Sequence, residues 1–383
     1  MEKDEQVRVL EDLIKINSVN GNEEEVAKYL QQLFDRHGIK AKIDLFGDHR
    51  ANLIADFGSG DHVLGVTGHM DTVATGDENK WQHGPFTPVR DGDRLYGRGA
   101  ADMKSGLAAE VIALIELHDA DALPAGHVRF IATAGEEYGT PGANRLEAAG
   151  VANDLVGLLV GEPTSGNVVY AHSGSMNYRV SSTGKSVHSS QPENGVNAID
   201  ALVDFCVKER DLFNDAPVDP YLGTVKHSVT VINGGDQVNT IPDTAALKGN
   251  IRPTKSFNND QVIERLQRAI SEVNQEGKGQ LSLDLIHNFR PVASDPSGQF
   301  VQRALQATQQ AYQEVPNHST PELKTINGAT DASVFVKHNQ ELPVIVLGAD
   351  DWNIAHQINE YTTISSYLAT IKAYQEIIKH YFD

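Results

Sequence analysis

The stretch HVLGVTGHMD, residues 62–71, begins as an apolar run and ends with two polar side chains, His69 and Asp71. An apolar run without alternation is typical of a strand buried on both faces. Residues two apart on an extended backbone point the same way, so Asp71 could accept a hydrogen bond from one imidazole nitrogen while the other faces a cavity. Metal-bound histidines are oriented in this manner, although a solvated His–Asp pair in a loop would have the same sequence. The interpretation depends on further ligands.

The segments around this strand repeat one pattern, in which apolar runs are separated by helices. The pattern predicts strands at 41–46, 51–57, 62–68, 127–134 and 154–162, and helices at 4–16, 22–37, 103–118 and 140–149. After residue 291 it resumes, with helices at 296–312, 330–337 and 360–382 and a strand at 342–348. Such a pattern indicates an α/β domain with a mixed, mostly parallel sheet covered by helices on both faces.

Between residues 172 and 290 the strands become alternating, as in a sheet with one exposed face. Four strands are predicted at 175–184, 224–233, 244–252 and 281–287, with helices at 195–212 and 258–276. Four such strands with two helices on one face predict a small α+β sandwich. Because 383 residues exceed one ordinary core, we predict two domains. A discontinuous domain covers 1–171 and 291–383, and the second, 172–290, is inserted into it.

Composition excludes several classes of protein. The formal net charge of −20 argues against nucleic acid or an anionic membrane as a partner, because both require a positive surface. No apolar run approaches the length of a membrane-spanning helix, and the acidic N-terminus lacks the features of a signal peptide. The single cysteine, Cys206, excludes both an intrachain disulfide and a thiolate-rich zinc site. We therefore expect a cytoplasmic protein whose metal ligands, if any, are nitrogen and oxygen.

Further candidate ligands follow the predicted strands or stand in loops before and after them. They are Asp102 in GRGAADMKSG, Glu136 and Glu137 in AGEEYG, Glu162 in LLVGEP and His356 in NIAHQINE. Asp102 and the two adjacent glutamates have ordinary alternatives, since an aspartate before a helix is commonly its N-cap and adjacent glutamates commonly form a charged turn. In open α/β sheets, however, ligands collect at the carboxyl ends of strands, and a shared cation would remove the cost of burying like charges.

Six motifs occur in the order of one known family. They are GHMDTV, GRGAADMKSG, AGEEYG, GEP, VHSSQPENG and HQINE. In this order they resemble the co-catalytic zinc amidohydrolases, which include acetylornithine deacetylase, succinyl-diaminopimelate desuccinylase, aminoacylase and carboxypeptidase G. The resemblance runs essentially end to end and is closest to the Gram-positive type of succinyl-diaminopimelate desuccinylase. It implies a zinc-exopeptidase-like catalytic domain and an inserted domain that acts as a lid and as the surface of a homodimer.

The resemblance also implies which residues hold two divalent ions. His69, Asp102 and Glu162 would hold one zinc, and Asp102, Glu137 and His356 the second, so that Asp102 bridges them. Zinc is the expected metal, with cobalt or manganese as alternatives, because geometry and availability rather than affinity order decide the metal.

Other residues acquire catalytic or substrate-binding roles from the same resemblance. Asp71 would orient His69, and Glu136 would be the general base acting on the water that bridges the ions. His188 would stabilise the tetrahedral oxyanion, and in the resembling enzymes the matching histidine comes from the partner subunit. Asn239 and Arg252 would contact the polar end of the substrate, although an edge-strand salt bridge is an alternative for Arg252.

These roles predict hydrolysis of the amide of an N-acylated amino acid, with N-succinyl-diaminopimelate favoured as the substrate. Acetylornithine, another N-acyl amino acid and a dipeptide remain alternatives. A non-catalytic binding relative would be expected to lack a ligand or the base, and a purely structural metal would leave Glu136 unexplained. Two features depart from the family pattern: Ser105 replaces a common glycine, and the stretch 171–178 lacks the paired arginines of Gram-negative desuccinylases. The second departure leaves the acyl group open.

Overall fold

The computed structural model describes residues 1–277 and 279–383. The chain separates into two compact units, each with its own core. The first unit comprises Met1–Ala171, Ala293–Thr325 and Thr330–Asp383. The second comprises His172–Val292 and Ile326–Ala329.

The described residues form nine α-helices and eighteen β-strands. The helices are α1 (Lys3–Lys15), α2 (Glu23–Arg36), α3 (Lys104–Asp119), α4 (Pro141–Ala148), α5 (Ala198–Glu209), α6 (Asn259–Gln275), α7 (Gln299–Ala311), α8 (Ala332–Phe335) and α9 (Ile364–Lys379). The strands are β1 (Ala41–Leu45), β2 (Ala51–Gly58), β3 (Val63–His69), β4 (Val89–Asp91), β5 (Arg94–Tyr96), β6 (His127–Thr133), β7 (Leu155–Val160), β8 (Val168–His172), β9 (Ser175–Thr183), β10 (Val187–His188), β11 (Lys226–Gly234), β12 (Thr240–Ile241), β13 (Thr244–Arg252), β14 (Gln280–Phe289), β15 (Val292–Ala293), β16 (Leu323–Ile326), β17 (Val344–Val346) and β18 (Tyr361–Thr363).

The main sheet has the order β1-β2-β6-β3-β7-β17-β8-β15, and β16 also pairs with β8. Its central strands β6, β3, β7 and β17 are parallel, whereas β1 and β2 add an antiparallel edge. All seven residues of β3 are buried, which explains why this strand is apolar without alternation. The predicted α/β class with a mostly parallel central sheet is confirmed.

Helix α3 is buried along most of its length, and its buried residues are mostly apolar, as expected for a helix enclosed by other elements. It contacts β3 and α9. Its first turn approaches the end of β7 so closely that a Cβ on Gly106 would lie 1.7 Å from the carbonyl oxygen of Gly161. Glycine at position 106 therefore lets the loop before α3 lie next to the residue that follows Gly161, namely Glu162.

Several predicted helices are shorter in the structure, including 195–212, which is reduced to α5, and two of them change more than their ends. The predicted helix 360–382 begins with strand β18, which pairs with β5, and only then continues as α9. Tyrosine and two threonines favour an extended backbone, which the apolar periodicity of the following helix conceals. The predicted helix 330–337 is reduced to the single turn of α8.

The second unit contains an antiparallel sheet of order β11-β13-β9-β14 with the two helices α5 and α6. Helix α6 begins with a complete capping box between Asn258 and Gln261. Helix α5 contacts β9 and β13, helix α6 contacts β14 and α5, and the buried apolar residues of these elements form one core. Strands β10 and β12 pair separately from this sheet. None of the helices in the described part of the chain, in either unit, has the length and apolar character needed to cross a bilayer.

Candidate metal centre

Three neighbouring strands deliver side chains to one edge of the main sheet. His69 is the last residue of β3, Glu162 follows the end of β7, and Glu136 and Glu137 begin a 3-10 turn after β6. Because β6, β3 and β7 are adjacent and parallel, their carboxyl ends lie at the same edge. The predicted convergence of these strand ends is therefore present.

Asp102 lies between two histidines that are far apart in the sequence. Its Oδ1 is 3.0 Å from His69 Nε2, and its Oδ2 is 3.2 Å from His356 Nε2. His69 Nε2 is also 3.6 Å from Glu162 Oε1, and His356 Nε2 is 2.7 Å from Glu137 Oε1. Asp102 is not the N-cap of α3, since that position is occupied by Met103. The Asp102 carboxylate thus lies between two pairs, His69 with Glu162 and His356 with Glu137.

The donor set fits divalent cations. Two groups of three residues offer donor atoms that could hold a metal ion, and within each group these atoms lie within 4.8 Å of one another. One group is His69, Glu136 and Glu162, and the other is His69, Asp102 and Glu137. Glu162 is 2% exposed, and within residues 1–277 and 279–383 its Oε2 has no hydrogen-bond partner. Burying an unpaired carboxylate oxygen is costly, and a cation among these nitrogen and oxygen donors removes that cost.

The pKa values of the cluster follow from burial and from close charges. Burial raises the pKa of the Glu162 and Glu136 carboxyls well above their ordinary value. Burial disfavours charged Asp102, but hydrogen bonds from His356 and His69 outweigh it and lower the pKa of this carboxyl. Burial likewise opposes charged His69, yet the carboxylates, Glu162 first, raise its pKa well above the usual range. Hydrogen bonds to carboxylates, Asp102 first, raise the pKa of His356 to about 10.

Asp71 differs from the sequence prediction in the contact that it makes. The His69 Nδ1 atom is 3.0 Å from the backbone carbonyl oxygen of Asp71, whereas the Asp71 carboxylate lies 3.6 Å away. The buried carboxylate instead accepts backbone N–H groups from Gly135 (2.8 Å), Glu136 (3.0 Å) and Glu137 (3.2 Å). Asp71 therefore orients the imidazole through its main chain and holds the glutamate turn through its side chain.

This turn is also supported from behind. Gly135 adopts a left-handed conformation (φ +75°), and a Cβ at this position would lie 2.3 Å from Arg50 Nη2. Arg50 forms a two-atom ion pair with Glu23, which is fully buried. Glycine is needed at position 135 because of both the backbone conformation and the guanidinium.

Several residues of the first unit support the centre without having been predicted. Arg98 and Glu360 form a buried ion pair, and Glu360 Oε1 accepts the backbone N–H of Asp102 at 3.0 Å. Asp331 accepts a 2.5 Å hydrogen bond from Thr133, and burial raises its pKa to about 6. Arg98 and Glu360 lie in motifs quoted above, yet the sequence alone does not show which members of a motif act through the ligands.

The sequence matches the peptidase family M20/M25/M40 over residues 65–380. The chain belongs to this family. A Staphylococcus aureus (strain MRSA252) protein named probable succinyl-diaminopimelate desuccinylase is 37% identical over 398 residues, covering 97% of this chain and 96% of the relative. The chain is accordingly a hydrolase of the M20 family.

Solved structures of other M20 proteins have the same fold. The metallo-carboxypeptidase Sso-CP2 from Sulfolobus solfataricus aligns with a TM-score of 0.78 and 20% identity, covering 100% of this chain and 99% of that one. The YxeP protein of Bacillus subtilis, described as a dinuclear metal-binding peptidase, aligns with a TM-score of 0.72 and 16% identity, covering 98% and 97%. At these identities the likenesses establish the M20 fold.

The remaining predicted site residues of this M20 chain lie in the second unit. His188 ends β10, next to β12, and the N–H of Ser189 donates to the carbonyl oxygen of Asn239 at 3.0 Å. His188 and Asn239 are therefore brought together. Arg252 ends β13, and its Nη1 is 3.3 Å from the carbonyl oxygen of Asn327. This hydrogen bond leaves both predicted roles of Arg252, a substrate contact and a salt bridge, as predictions.

Proposed function

We propose that this M20 hydrolase cleaves the amide of N-succinyl-diaminopimelate and requires two divalent ions, zinc in the first instance. The proposed ligands are His69, Asp102 and Glu162 for one ion and Asp102, Glu137 and His356 for the other. The observation that carries the proposal is the position of Asp102, whose two oxygens lie 3.0 Å from His69 Nε2 and 3.2 Å from His356 Nε2. A single carboxylate in this position can serve both ions.

Each neighbouring residue has a defined task in the proposed reaction. A pair of divalent ions, when bound, polarises the amide carbonyl and lowers the pKa of water towards neutrality. Glu136 accepts the proton of the attacking water and donates it to the leaving amine. Asp71 holds Glu136 in position through the backbone N–H of this residue. His188 stabilises the oxyanion in this proposal, and it comes from the partner subunit.

The substrate is proposed from relatives and from side-chain chemistry. The name of the Staphylococcus aureus relative supports a succinyl group and diaminopimelate. Arg252 offers a planar fork for a substrate carboxylate, and burial lowers the pKa of its guanidinium, which a bound carboxylate would counteract. Asn239 supplies a neutral amide beside His188.

A panel assay tests this function. The protein loaded with zinc or with cobalt is offered N-succinyl-diaminopimelate, N-acetylornithine and a set of dipeptides, and release of the free amine is followed. We expect the highest kcat/KM for N-succinyl-diaminopimelate, and E136Q protein prepared in parallel controls for contaminating hydrolases. A clear preference for N-acetylornithine or a dipeptide overturns the substrate, and no metal-dependent release overturns the reaction.

We further propose that the enzyme is a cytoplasmic homodimer joined through its second unit. Strand β11 is an edge of the four-stranded sheet, and Ile232 on it is 54% exposed. Val203 and Val207 of α5 are 48% and 58% exposed, and their spacing puts them on one face of the helix. Helix α5 contacts β11. An exposed strand edge beside exposed valines favours pairing with a second copy. The cytoplasmic location is proposed because a single cysteine, Cys206, suits a reducing compartment.

A further inference from the structure

We propose that the buried Arg98–Glu360 ion pair positions Asp102 and His356 for metal binding. Loss of this ion pair should therefore cost more free energy of metal binding than free energy of unfolding of the metal-free protein. The inference rests on the metal-dependent function proposed above. Neither residue is a proposed ligand. Both act through hydrogen bonds to the main chain of two proposed ligands, Asp102 and His356.

Glu360 fixes the backbone around the proposed bridging carboxylate. Its Oε1 accepts the N–H groups of Ala101 (2.8 Å) and Asp102 (3.0 Å), while its Oε2 is hydrogen-bonded to Arg98 Nη1. The carbonyl oxygen of Glu360 in turn accepts the N–H of Gly97 at 3.0 Å. The segments 97–102 and 356–360 are thereby joined at several points, although they are more than 250 residues apart in the chain.

Arg98 extends the same connection to two further segments. Its Nη2 donates to the carbonyl oxygen of Ala74 at 3.1 Å and lies 3.5 Å from that of His356. Its guanidinium lies 5.2 Å from the ring of Trp81. Arg98 is 1% exposed, so water cannot replace these contacts. One guanidinium therefore connects the loop after β3, the loop before α3 and the loop that carries His356.

His356 needs this support because its backbone is in an unfavourable conformation. Its φ is +63°, in the left-handed region that a residue with a Cβ adopts only when surrounding contacts hold it there. The side chain is 49% exposed, so packing around the imidazole supplies only part of the restraint. The main-chain contacts through Arg98 and Glu360 supply the rest and orient the ring towards Asp102.

An independent ion pair in the same unit provides a matched control. Arg129 lies near the start of β6, at the end of the sheet opposite to the metal centre. It donates to Asp56 Oδ1 (2.9 Å), Asp154 Oδ1 (2.7 Å) and the carbonyl oxygen of Val151 (2.8 Å). R129K thus removes an arginine with a comparable number of partners and no proposed connection to a ligand.

The experiment compares R98K, E360Q and R129K with the unaltered protein. Zn²⁺ dissociation constants and stoichiometry are measured by competition with a chromophoric chelator, and thermal unfolding is followed in the metal-free state. Supporting groups of metal ligands typically affect affinity by about 10- to 100-fold, and we expect weakening of this size in R98K and E360Q but not in R129K. Excess Zn²⁺ should restore kcat in both variants without changing KM.

The outcomes separate this inference from the proposed function. If the unaltered protein binds fewer than two ions, the proposed function fails. If it binds two ions and R98K and E360Q bind them within about twofold of the same affinity, this inference alone is overturned. E360Q preserves the size of the side chain and carries the test if R98K does not fold. Equal weakening in R129K would also overturn the inference, because the effect would then be a general loss of stability.

Discussion

The backbone N–H of Glu136 donates a 3.0 Å hydrogen bond to Oδ1 of Asp71, so that the proposed general base is held by the residue expected to orient His69. The sequence suggested a link between Asp71 and His69 because they are two residues apart in a strand. The carboxylate instead bonds to a turn more than 60 residues away in the chain. Replacing Asp71 therefore tests whether turnover depends on the position of this turn.

Replacement of Asp71 should reduce turnover by displacing that turn. In D71N the new amide group would face a backbone N–H, so at least one of the three hydrogen bonds is lost. We expect kcat to fall by about 10- to 100-fold with metal retained, and the free energy of unfolding to fall by about 1–3 kcal/mol. D219N is the matched control, since Asp219 is also buried and accepts backbone N–H groups from Tyr221, Leu222 and Ser256. Equal kcat in the two variants would contradict the assignment.

Removing the charge of Glu136 should lower turnover without affecting metal binding. E136Q keeps the size of the side chain and cannot accept a proton from water. We expect metal content to remain unchanged while kcat falls by roughly two to four orders of magnitude. Metal analysis and steady-state kinetics check this result, with E147Q on α4 as the control. Normal turnover in E136Q would show that another group is the base.

Metal binding should release protons and should tighten as the pH rises. In the metal-free protein the pKa of His356 is raised to about 10, so its imidazole is protonated at neutral pH, whereas a metal ligand must be neutral. Below pH 10 each released proton therefore makes binding about tenfold tighter per pH unit. Titration calorimetry in buffers of different ionisation enthalpy counts these protons. A pH-independent affinity between pH 6 and 9 would refute the prediction.

The raised pKa of His356 has the opposite effect on the stability of the metal-free protein, which should fall as the pH rises. The ion pairs of His356 with Asp102 and Glu137 are fully present below pH 6.5, the ordinary pKa of histidine, and are lost as the pH rises towards 10. Raising the pH should therefore weaken the metal-free protein over this interval and strengthen metal binding.

The proposed dimer makes a prediction about mass in solution. The unaltered protein should have twice the mass of its 41.6 kDa chain, and I232E or V203E should reduce it to the monomer. V218E is the control, because Val218 is 68% exposed but lies outside β11 and α5. Light scattering coupled to size exclusion measures each mass. Dimers that persist in both I232E and V203E would place the interface elsewhere.

The sequence predicted those parts of the fold in which a continuous apolar run or an alternating pattern extends over many residues. The buried strand β3 and the four alternating strands of the second unit are examples. Strand β18 was missed because three residues directly before a helix carry too little pattern. Its pairing with β5 depends on residues more than 250 positions away.

The candidate site was likewise predictable only in part. Strand ends with hard ligands were visible because apolar runs stop at charged residues, as at His69 and Glu162. The roles of Arg98 and Glu360 were not, because they depend on main-chain contacts between distant segments. The contact of Asp71 also depended on a backbone path that neither periodicity nor motif specifies.

The most direct test is an anomalous-scattering crystal structure of the zinc-loaded protein, collected on both sides of the zinc absorption edge. We expect two zinc peaks, one beside each oxygen of Asp102, with His69 and Glu162 at one and His356 and Glu137 at the other. A single peak, or peaks that do not share Asp102, would contradict this expectation.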